Sequence, residues 1–240
     1  MNNLIDVHTH ILHNIDDGAE DITESSRLFD GMRSQNVTTV VATPHFYPFE
    51  MKLDDFLAKR ENSFLELKNA GVIGNINLLS GCEALITPNF EIYEDIEPLK
   101  IQSTRLLMLE IPYFSDMSTE KAINIIEKMM SVHNFTPVIA HIDRYDFFKF
   151  RRADIIEELI DMGCRLQINT NAFLVKSEYK FALKLMQAGY IHFIGSDCHG
   201  MKWRLPNMKD AYDVIEKHLG SNMAAALNER AGKLLKLMGY

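Results

Sequence analysis

The fold and the chemistry of this chain are both indicated by the stretch Leu4-Ile5-Asp6-Val7-His8-Thr9-His10. Leu4, Ile5 and Val7 are typical of a short buried strand, and residues two apart on a strand point to the same face. His8 and His10 therefore place two imidazoles side by side on a rigid element. A buried structural histidine is usually single, because its ring N–H needs a partner, so the pair favours a shared cation.

The composition predicts one globular domain over residues 1–240, because 47% of the residues are hydrophobic and the length suits one large core. The net charge of -8 argues against nucleic acid as the main partner. No segment resembles a signal peptide or a membrane span, so we expect a cytoplasmic protein without membrane insertion. Cys82, Cys164 and Cys198 are an odd number without C-x-x-C spacing, which argues against a disulfide framework.

Hydrophobic periodicity along the chain predicts strands that alternate with helices. The predicted strands cover about residues 4–7, 37–43, 75–79, 105–109, 137–140, 165–169 and 190–195. The predicted helices cover about residues 22–34, 53–70, 118–133, 153–162, 177–188, 208–219 and 222–237, with Thr23 or Ser25 as the cap of the first. Alternation implies parallel pairing, and no glycine-rich phosphate loop follows the first strand. We therefore predict an α/β barrel.

Functional residues of such a barrel lie at the carboxyl ends of its strands. Six of the seven predicted strands end in a possible metal ligand, and with one acid on the first loop the candidates are His8, His10, Asp17, His45, Glu83, Glu110, His141, Asp197 and His199.

Five histidines and four carboxylates exceed the roughly four to six ligands of one ion, so more than one metal is implied. Mixed imidazole and carboxylate ligands suit Mn²⁺, Fe²⁺ or Zn²⁺ rather than Ca²⁺. Glu83 or Glu110 is suited to bridging two cations. Such clusters convert bound water to hydroxide near neutral pH, which predicts hydrolysis of a phosphoester.

Several motifs of the chain resemble the polymerase and histidinol phosphatase (PHP) superfamily. They are His8-Thr9-His10, Ile15-Asp16-Asp17-Gly18-Ala19, Ala42-Thr43-Pro44-His45, Gly81-Cys82-Glu83, Leu109-Glu110-Ile111-Pro112, Ile139-Ala140-His141-Ile142-Asp143-Arg144-Tyr145 and Gly195-Ser196-Asp197-Cys198-His199. Within the superfamily, the chain is most similar to the bacterial manganese-dependent tyrosine-protein phosphatases of capsular and exopolysaccharide operons.

This resemblance implies a distorted TIM-like (β/α)7 barrel that holds three manganese ions, with iron, zinc or magnesium as substitutes. It assigns His8, His10, Glu83 and Asp197 to the first metal, Glu83, Glu110 and His141 to the second, and Asp17, His45 and His199 to the third. Arg144 and Arg204 match the phosphate-binding arginines, and with Asp17 and His45 they form the implied catalytic group. A guanidinium can bind two phosphate oxygens at once, which agrees with this role. The implied partner is a phosphotyrosine-bearing protein such as a bacterial tyrosine kinase, and self-association is compatible with the sequence.

Two departures from the family pattern lie beside the site. His13 stands where proline is expected, and Gly200 follows His199 where asparagine is common. Neither departure removes a ligand, but both affect loops that can select the substrate.

Three other hypotheses are compatible with parts of the sequence. Cys198 and Arg204 have the C-x5-R spacing of phosphatases that use a cysteine thiolate, although the loop between them is poor in glycine. A small-molecule phosphatase, such as a histidinol phosphatase, would use the same metal ligands. Phe46, Tyr47 and Phe49 favour a protein substrate by offering aromatic contacts. A metal-stabilised binding module without activity is disfavoured, because structural sites need fewer ligands and no arginines.

Overall fold

Nine parallel strand segments and eight α-helices make up the sheet and helical structure of the described residues in this computed structural model. The structure describes residues 3–88, 90, 93, 95–112, 117–145 and 153–236. The strands are β1 Leu4–Thr9, β2 Val37–Ala42, β3 His45–Phe46, β4 Asn77–Ser80, β5 Glu83–Leu85, β6 Leu106–Glu110, β7 Thr136–Ile139, β8 Arg165–Asn169 and β9 Phe193–Gly195. The helices are α1 Ile22–Ser34, α2 Leu53–Asn69, α3 Thr119–Val132, α4 Ala153–Asp161, α5 Asn171–Leu174, α6 Tyr179–Gln187, α7 Met208–Leu219 and α8 Ser221–Leu234.

The strands form one curled parallel arrangement in two hydrogen-bonded sheets. One sheet has the order β1-β2-β4, and the other has the order β3-β5-β6-β7-β8-β9. The chain crosses from the first sheet to the second at Thr43-Pro44 and again at Gly81-Cys82. A parallel bridge between Thr9 and Cys198 brings the end of β1 beside the segment that follows β9. All the strand ends that carry predicted ligands therefore face the same region.

The core lies on both faces of the strands, because alternate strand residues point to opposite sides. The larger apolar cluster joins the strands to the helices and includes Leu28 and Phe29 of α1. A smaller cluster on the other face includes Ile5, Val7 and Met108, and it is closed by Ala231 of α8 and by Leu235, which follows that helix. Strands covered on both faces explain why their sequences are apolar throughout.

Most predicted elements are present in the structure, with three corrections. The predicted second and third strands are each followed by a further short strand in the other sheet, β3 after Thr43-Pro44 and β5 after Gly81-Cys82. The seventh strand begins at Phe193 rather than at residue 190. The cap of α1 is Asp21, whose side chain accepts from the Glu24 N–H at 2.8 Å, whereas Ser25 is buried and donates to the Ile11 carbonyl. The predicted end of the last helix, at residue 237, lies outside the described residues.

The helices of the described part of the chain include none with the length and apolar character that crossing a membrane requires.

The half-buried His192 makes stability sensitive to acid. Burial lowers the pKa of its imidazole to about 4, and Arg165 and Arg230 add to this effect, while the neutral ring accepts from the Leu166 N–H. An unfolded histidine titrates near 6.5, so the unfolded state binds more protons between about pH 6.5 and 4, and stability falls as the pH decreases through this range. We expect His192→Gln to remove about 1–2 kcal/mol of that loss, allowing for partial exposure. Urea unfolding of the metal-free parent chain and of His192→Gln at pH 7.5 and 5 measures the loss of unfolding free energy. Equal losses in the two proteins would show that His192 is not the cause.

Candidate metal centre

The nine predicted ligands meet at the carboxyl ends of the strands. His8 and Glu110 lie on β1 and β6, and Glu83 and His45 begin β5 and β3. The others follow strand ends or lie on the first loop: His10, Asp17, His141, Asp197 and His199. All except His45 and Asp17 are buried. The structure therefore brings together imidazoles and carboxylates from positions 8 to 199 of the chain.

Glu83 lies at the centre of this group. Its Oε2 atom is 3.1 Å from His8 Nε2, 3.4 Å from His10 Nε2 and 3.0 Å from His45 Nδ1. Its Oε1 atom is 2.6 Å from His141 Nε2. Burial alone would raise the pKa of Glu83, but the surrounding histidines hold that pKa well below its usual range. The carboxylate thus stays charged, and each of its oxygens contacts at least one imidazole.

Asp197 connects the histidines of β1 to the two predicted arginines. Its Oδ1 atom lies 3.5 Å from His8 Nε2 and 3.4 Å from His10 Nε2. Its Oδ2 atom pairs with the guanidinium groups of Arg144 and Arg204. Burial would raise the pKa of Asp197, yet His8, His10 and Arg144 hold it well below its usual range.

Asp17 and His199 form the outer part of the group. Asp17 Oδ1 is 3.2 Å from His199 Nε2 and 3.7 Å from His45 Nε2. The contact with His199 lowers the pKa of Asp17 against the effect of partial burial. Burial lowers the pKa of His199 to about 4, with His10 adding to the shift, so this imidazole is neutral and able to act as a ligand.

Three compact sets can each hold one cation. Their possible ligand atoms lie within 4.8 Å of one another, and the sets are His10, Asp17, His45 and His199; His8, His10 and Asp197; and His45, Glu83 and Glu110. In these sets His10 and His45 are each shared, whereas Glu83, which was predicted to be shared by the first and second metals, belongs to one set only. His141 lies outside them but approaches both Glu83 Oε1 and Glu110 Oε1, at 2.6 and 3.6 Å.

The donor set fits a cluster of divalent cations. Among the described residues, Glu110 Oε2 and Asp197 Oδ1 are buried and have no hydrogen-bond partner. Burial raises the pKa of Glu110 to about 8, and the neighbouring Glu83 carboxylate adds to the shift. Buried oxygens without donors and acids that repel one another are costly. Cations bound between them would satisfy both.

Sequence reasoning missed the side chains that orient the ligands. Gln167 on β8 places its Oε1 atom 3.2 Å from His8 Nδ1 and accepts from the His141 N–H. Asn169 accepts from the Gln167 amide and donates to Asp197 Oδ2 at 2.8 Å. β8 is the strand for which no ligand was predicted, and these amides two residues apart hold three ligands in place. The signal was that Gln167 and Asn169 alternate with the apolar Leu166 and Ile168 on a buried strand.

Asp16 is a second missed residue. Its Oδ2 atom is 2.7 Å from His10 Nδ1 and accepts from the His45 N–H at 2.8 Å. The imidazole of His10 is thereby held with Nε2 toward the cluster, which is the usual arrangement for a ligating histidine. Gly18 and Gly195 allow this packing, because a Cβ atom at either position would lie within 2.5 Å of the backbone or Cβ of His10 or His8.

The backbone at the site is strained. His141, Asp197 and Arg204 have φ angles of 29°, 53° and 52°, which are unfavourable for residues other than glycine. Such strain concentrates at functional sites, where surrounding contacts hold the backbone.

Two other sequence features have different surroundings from those expected. Phe46 is fully buried and packs against Phe56, so it is not available to a substrate. His13 contacts Ser63 Oγ at 3.0 Å and Glu66 Oε2 at 2.9 Å, which attaches the loop carrying Asp16 and Asp17 to α2.

Cys198 is unsuited to act as a nucleophile. Its side chain is fully buried, and burial, together with Asp6 and Asp197, raises the pKa of the thiol far above its ordinary value. We expect Cys198→Ser and Cys198→Ala to keep phosphatase turnover within about threefold of the parent chain. Loss of turnover with metal content intact would contradict this and favour the thiolate.

The comparisons with known proteins agree with this geometry. Residues 4–236 match the family model described as capsular polysaccharide synthesis, CpsB/CapC. The tyrosine-protein phosphatase CpsB of Streptococcus pneumoniae is 31% identical over 239 residues, covering 93% of this chain and 94% of the relative. The putative tyrosine-protein phosphatase CapC of Staphylococcus aureus is 30% identical and covers 99% of this chain and 96% of the relative.

A solved structure agrees as well. The crystal structures of YwqE from Bacillus subtilis and CpsB from Streptococcus pneumoniae, described as metal-dependent tyrosine phosphatases, include a chain that superposes with a TM-score of 0.82. That chain is 27% identical, and the match covers 97% of this chain and 94% of the other. The two chains therefore share their overall fold. The chain belongs to the CpsB/CapC family of capsular polysaccharide synthesis proteins.

Proposed function

We propose that this chain is a metal-dependent protein-tyrosine phosphatase that acts on a phosphotyrosine-bearing protein, such as a bacterial tyrosine kinase, in capsule or exopolysaccharide regulation. The observation that carries the proposal is the convergence of nine possible ligands beside two arginines that share the Asp197 carboxylate. The relatives named tyrosine-protein phosphatases support the same activity.

The proposed ligands are His8, His10, Asp17, His45, Glu83, Glu110, His141, Asp197 and His199, around three cations. Manganese is the first choice, and iron, zinc or magnesium are substitutes. Bound there, divalent cations supply Lewis acidity toward phosphoryl oxygens and lower the pKa of water. Glu83 has the position to bridge, because both of its oxygens face imidazoles.

The phosphate is bound by the two arginines in this proposal. Asp197 pairs with the Nη2 atom of each guanidinium, and Arg204 Nη1 lies 2.9 Å from His199 Nε2. A guanidinium carries five N–H donors in a fixed fork, so one group can bind a carboxylate and phosphate oxygens together. Arg204 Nε is buried, with no hydrogen-bond partner among the described residues. With Asp17 and His45 at the outer edge, the arginines complete the proposed catalytic group.

The proposal also includes the type of barrel, the number of domains and the location in the cell. The curled parallel strands close as a distorted (β/α)7 barrel, supported by the Thr9–Cys198 bridge. Residues 1–240 form one domain, and the protein acts in the cytoplasm.

The experiment combines metal analysis with turnover. Purified chain, before and after chelation, is assayed for metal content and for hydrolysis of a phosphotyrosine peptide and of histidinol phosphate. We expect two to three metal equivalents, preference for the peptide, loss of turnover on chelation and recovery with Mn²⁺. Preference for histidinol phosphate would favour the small-molecule alternative, and metal without hydrolysis would favour a binding module.

A further inference from the structure

Exposed apolar side chains concentrate at the end of the molecule that carries the cluster. The large hydrophobic residues exposed in the described part of the chain are Phe49, Leu65, Val132, Leu174, Val175, Trp203 and Leu205. Five of these follow strand ends on the cluster side, after β3, β8 and β9. Phe49 is 70% exposed and Trp203 is 58% exposed. Clustered exposed apolar surface indicates a contact surface for another molecule.

Aromatic rings form a continuous series across the cluster. Phe49 is nearly parallel to Tyr47, at 6° and 5.9 Å between ring centroids, and Tyr47 stacks on His45 at 4.7 Å. His45 lies 6.0 Å from His199, and His199 lies 5.9 Å from Trp203. The two proposed ligands His45 and His199 are therefore each in contact with an aromatic ring that lies farther from the cluster, Tyr47 beside His45 and Trp203 beside His199.

A cavity of about 480 Å³ opens beside this series. Its polar lining residues are Asp16, Asp17, His45 and Glu50, and Ile15, Tyr47 and Met51 complete the lining. Its volume is sufficient for an aromatic ring attached to a phosphate near Asp17 and His45.

We propose that Tyr47, Phe49 and Trp203 select the substrate, an inference that rests on the proposed function. The phenyl ring of phosphotyrosine packs against Tyr47 in the cavity, while the phosphate faces the cluster. Phe49 and Trp203, at the two ends of the series, contact apolar side chains that flank the phosphotyrosine in a protein. These residues act by binding and orientation, and the chemistry stays with the cluster and the arginines.

A purely structural role for Trp203 makes a different prediction. The Arg204 guanidinium lies 5.7 Å from the centre of the Trp203 ring, so the indole can also support that arginine. Loss of such support would weaken every phosphomonoester, with or without flanking residues. Substrates that differ in those parts therefore separate the two roles.

The kinetic test uses metal-loaded chain with three substrates: free phosphotyrosine, a phosphotyrosine peptide with apolar flanks, and glycerol phosphate. We expect Tyr47→Ala to lower the ratio of kcat/KM for phosphotyrosine over glycerol phosphate about 10-fold, mainly through KM, and Tyr47→Phe to restore it. We expect Phe49→Ala and Trp203→Ala to raise KM about 3- to 10-fold for the peptide but less than twofold for free phosphotyrosine. Val132→Ala, which removes an equally exposed side chain at the end of α3, is the matched control.

The outcomes separate this inference from the proposed function. Equal losses on all three substrates in Tyr47→Ala and Trp203→Ala, or an unchanged peptide KM, would overturn the selection. Metal content and thermal melting of each variant show whether such a loss comes from the cluster or from unfolding. Hydrolysis of glycerol phosphate without any hydrolysis of phosphotyrosine would instead overturn the proposed function, and the selection with it.

A binding measurement tests Trp203 without turnover. Trp203 is the single tryptophan of the chain, so its emission reports directly on its surroundings. We expect a non-hydrolysable phosphonate analogue of the peptide to shift the emission to shorter wavelength in a saturable manner, and inorganic phosphate to leave it nearly unchanged. Phe49→Ala should require about 3- to 10-fold more analogue. An emission spectrum that saturating analogue does not alter would overturn the role of Trp203.

Discussion

Glu83→Gln is expected to lose about 10³-fold or more in turnover of a phosphotyrosine peptide, together with at least one metal equivalent. The reason is that four imidazoles, those of His8, His10, His45 and His141, lie within 3.4 Å of the two oxygens of this one carboxylate. Glutamine keeps the shape of the side chain but removes the negative charge and replaces one of the two oxygens with an NH2 group, which cannot bind a cation. Because Glu83 is shared between two proposed metal sites, its replacement should weaken cation binding at both.

The matched control for this variant is Glu97→Gln. Glu97 is mostly exposed and pairs with Lys100, so the same change of charge occurs without a cluster contact. Metal analysis after gel filtration and peptide turnover in added Mn²⁺ measure the two effects separately. A Glu83→Gln protein with full metal content and turnover within tenfold of the parent would show that Glu83 neither bridges nor holds a catalytic cation.

The convergence of the cluster was predictable from the sequence because parallel strands present their carboxyl ends at one edge. His45, Glu110 and His141 each stand at the end of an apolar run, and the structure places them together. Their roles as ligands stay a prediction. The grouping into these three sets was not predictable, because His10 and His45 each belong to two sets. Only the distances between ligand atoms, which the sequence does not contain, define the sets.

Other parts of the structure could not be predicted from the sequence, because they depend on tertiary contacts. Gln167 and Asn169 looked like strand residues without chemistry, yet their amides fix His8 and Asp197 from a strand remote in sequence. The short strands β3 and β5 depend on how the chain passes between two sheets. Periodicity predicts that a buried strand exists, but it does not show where the strand changes partner.

Arg144→Lys and Arg204→Lys are each expected to lower kcat/KM for a phosphotyrosine peptide about 10²-fold while metal content stays that of the parent chain. The two guanidinium groups come from different elements, the 3₁₀ helix Ile142–Arg144 and the segment after β9, and they meet at one oxygen of Asp197. That carboxylate orients both forks, and the proposed role requires further N–H groups of each guanidinium to donate to phosphate. Lysine preserves the charge and the pairing with Asp197 but offers no second donor in a fixed plane.

Arg33→Lys is the control for the arginine variants, because Arg33 ends α1 at the opposite end of the strands, where it pairs with Asp30 and donates to the carbonyls of Val72 and Ile73. Inhibition by inorganic phosphate gives a second readout, and it should weaken in Arg144→Lys and Arg204→Lys and stay constant in Arg33→Lys. If either active-site variant loses metal, Asp197 needs its arginines in order to hold a cation, and the arginine then acts through the cluster. If metal is retained and phosphate inhibition is unchanged, the fork does not bind phosphate, and the shared carboxylate serves only to hold the strand ends together.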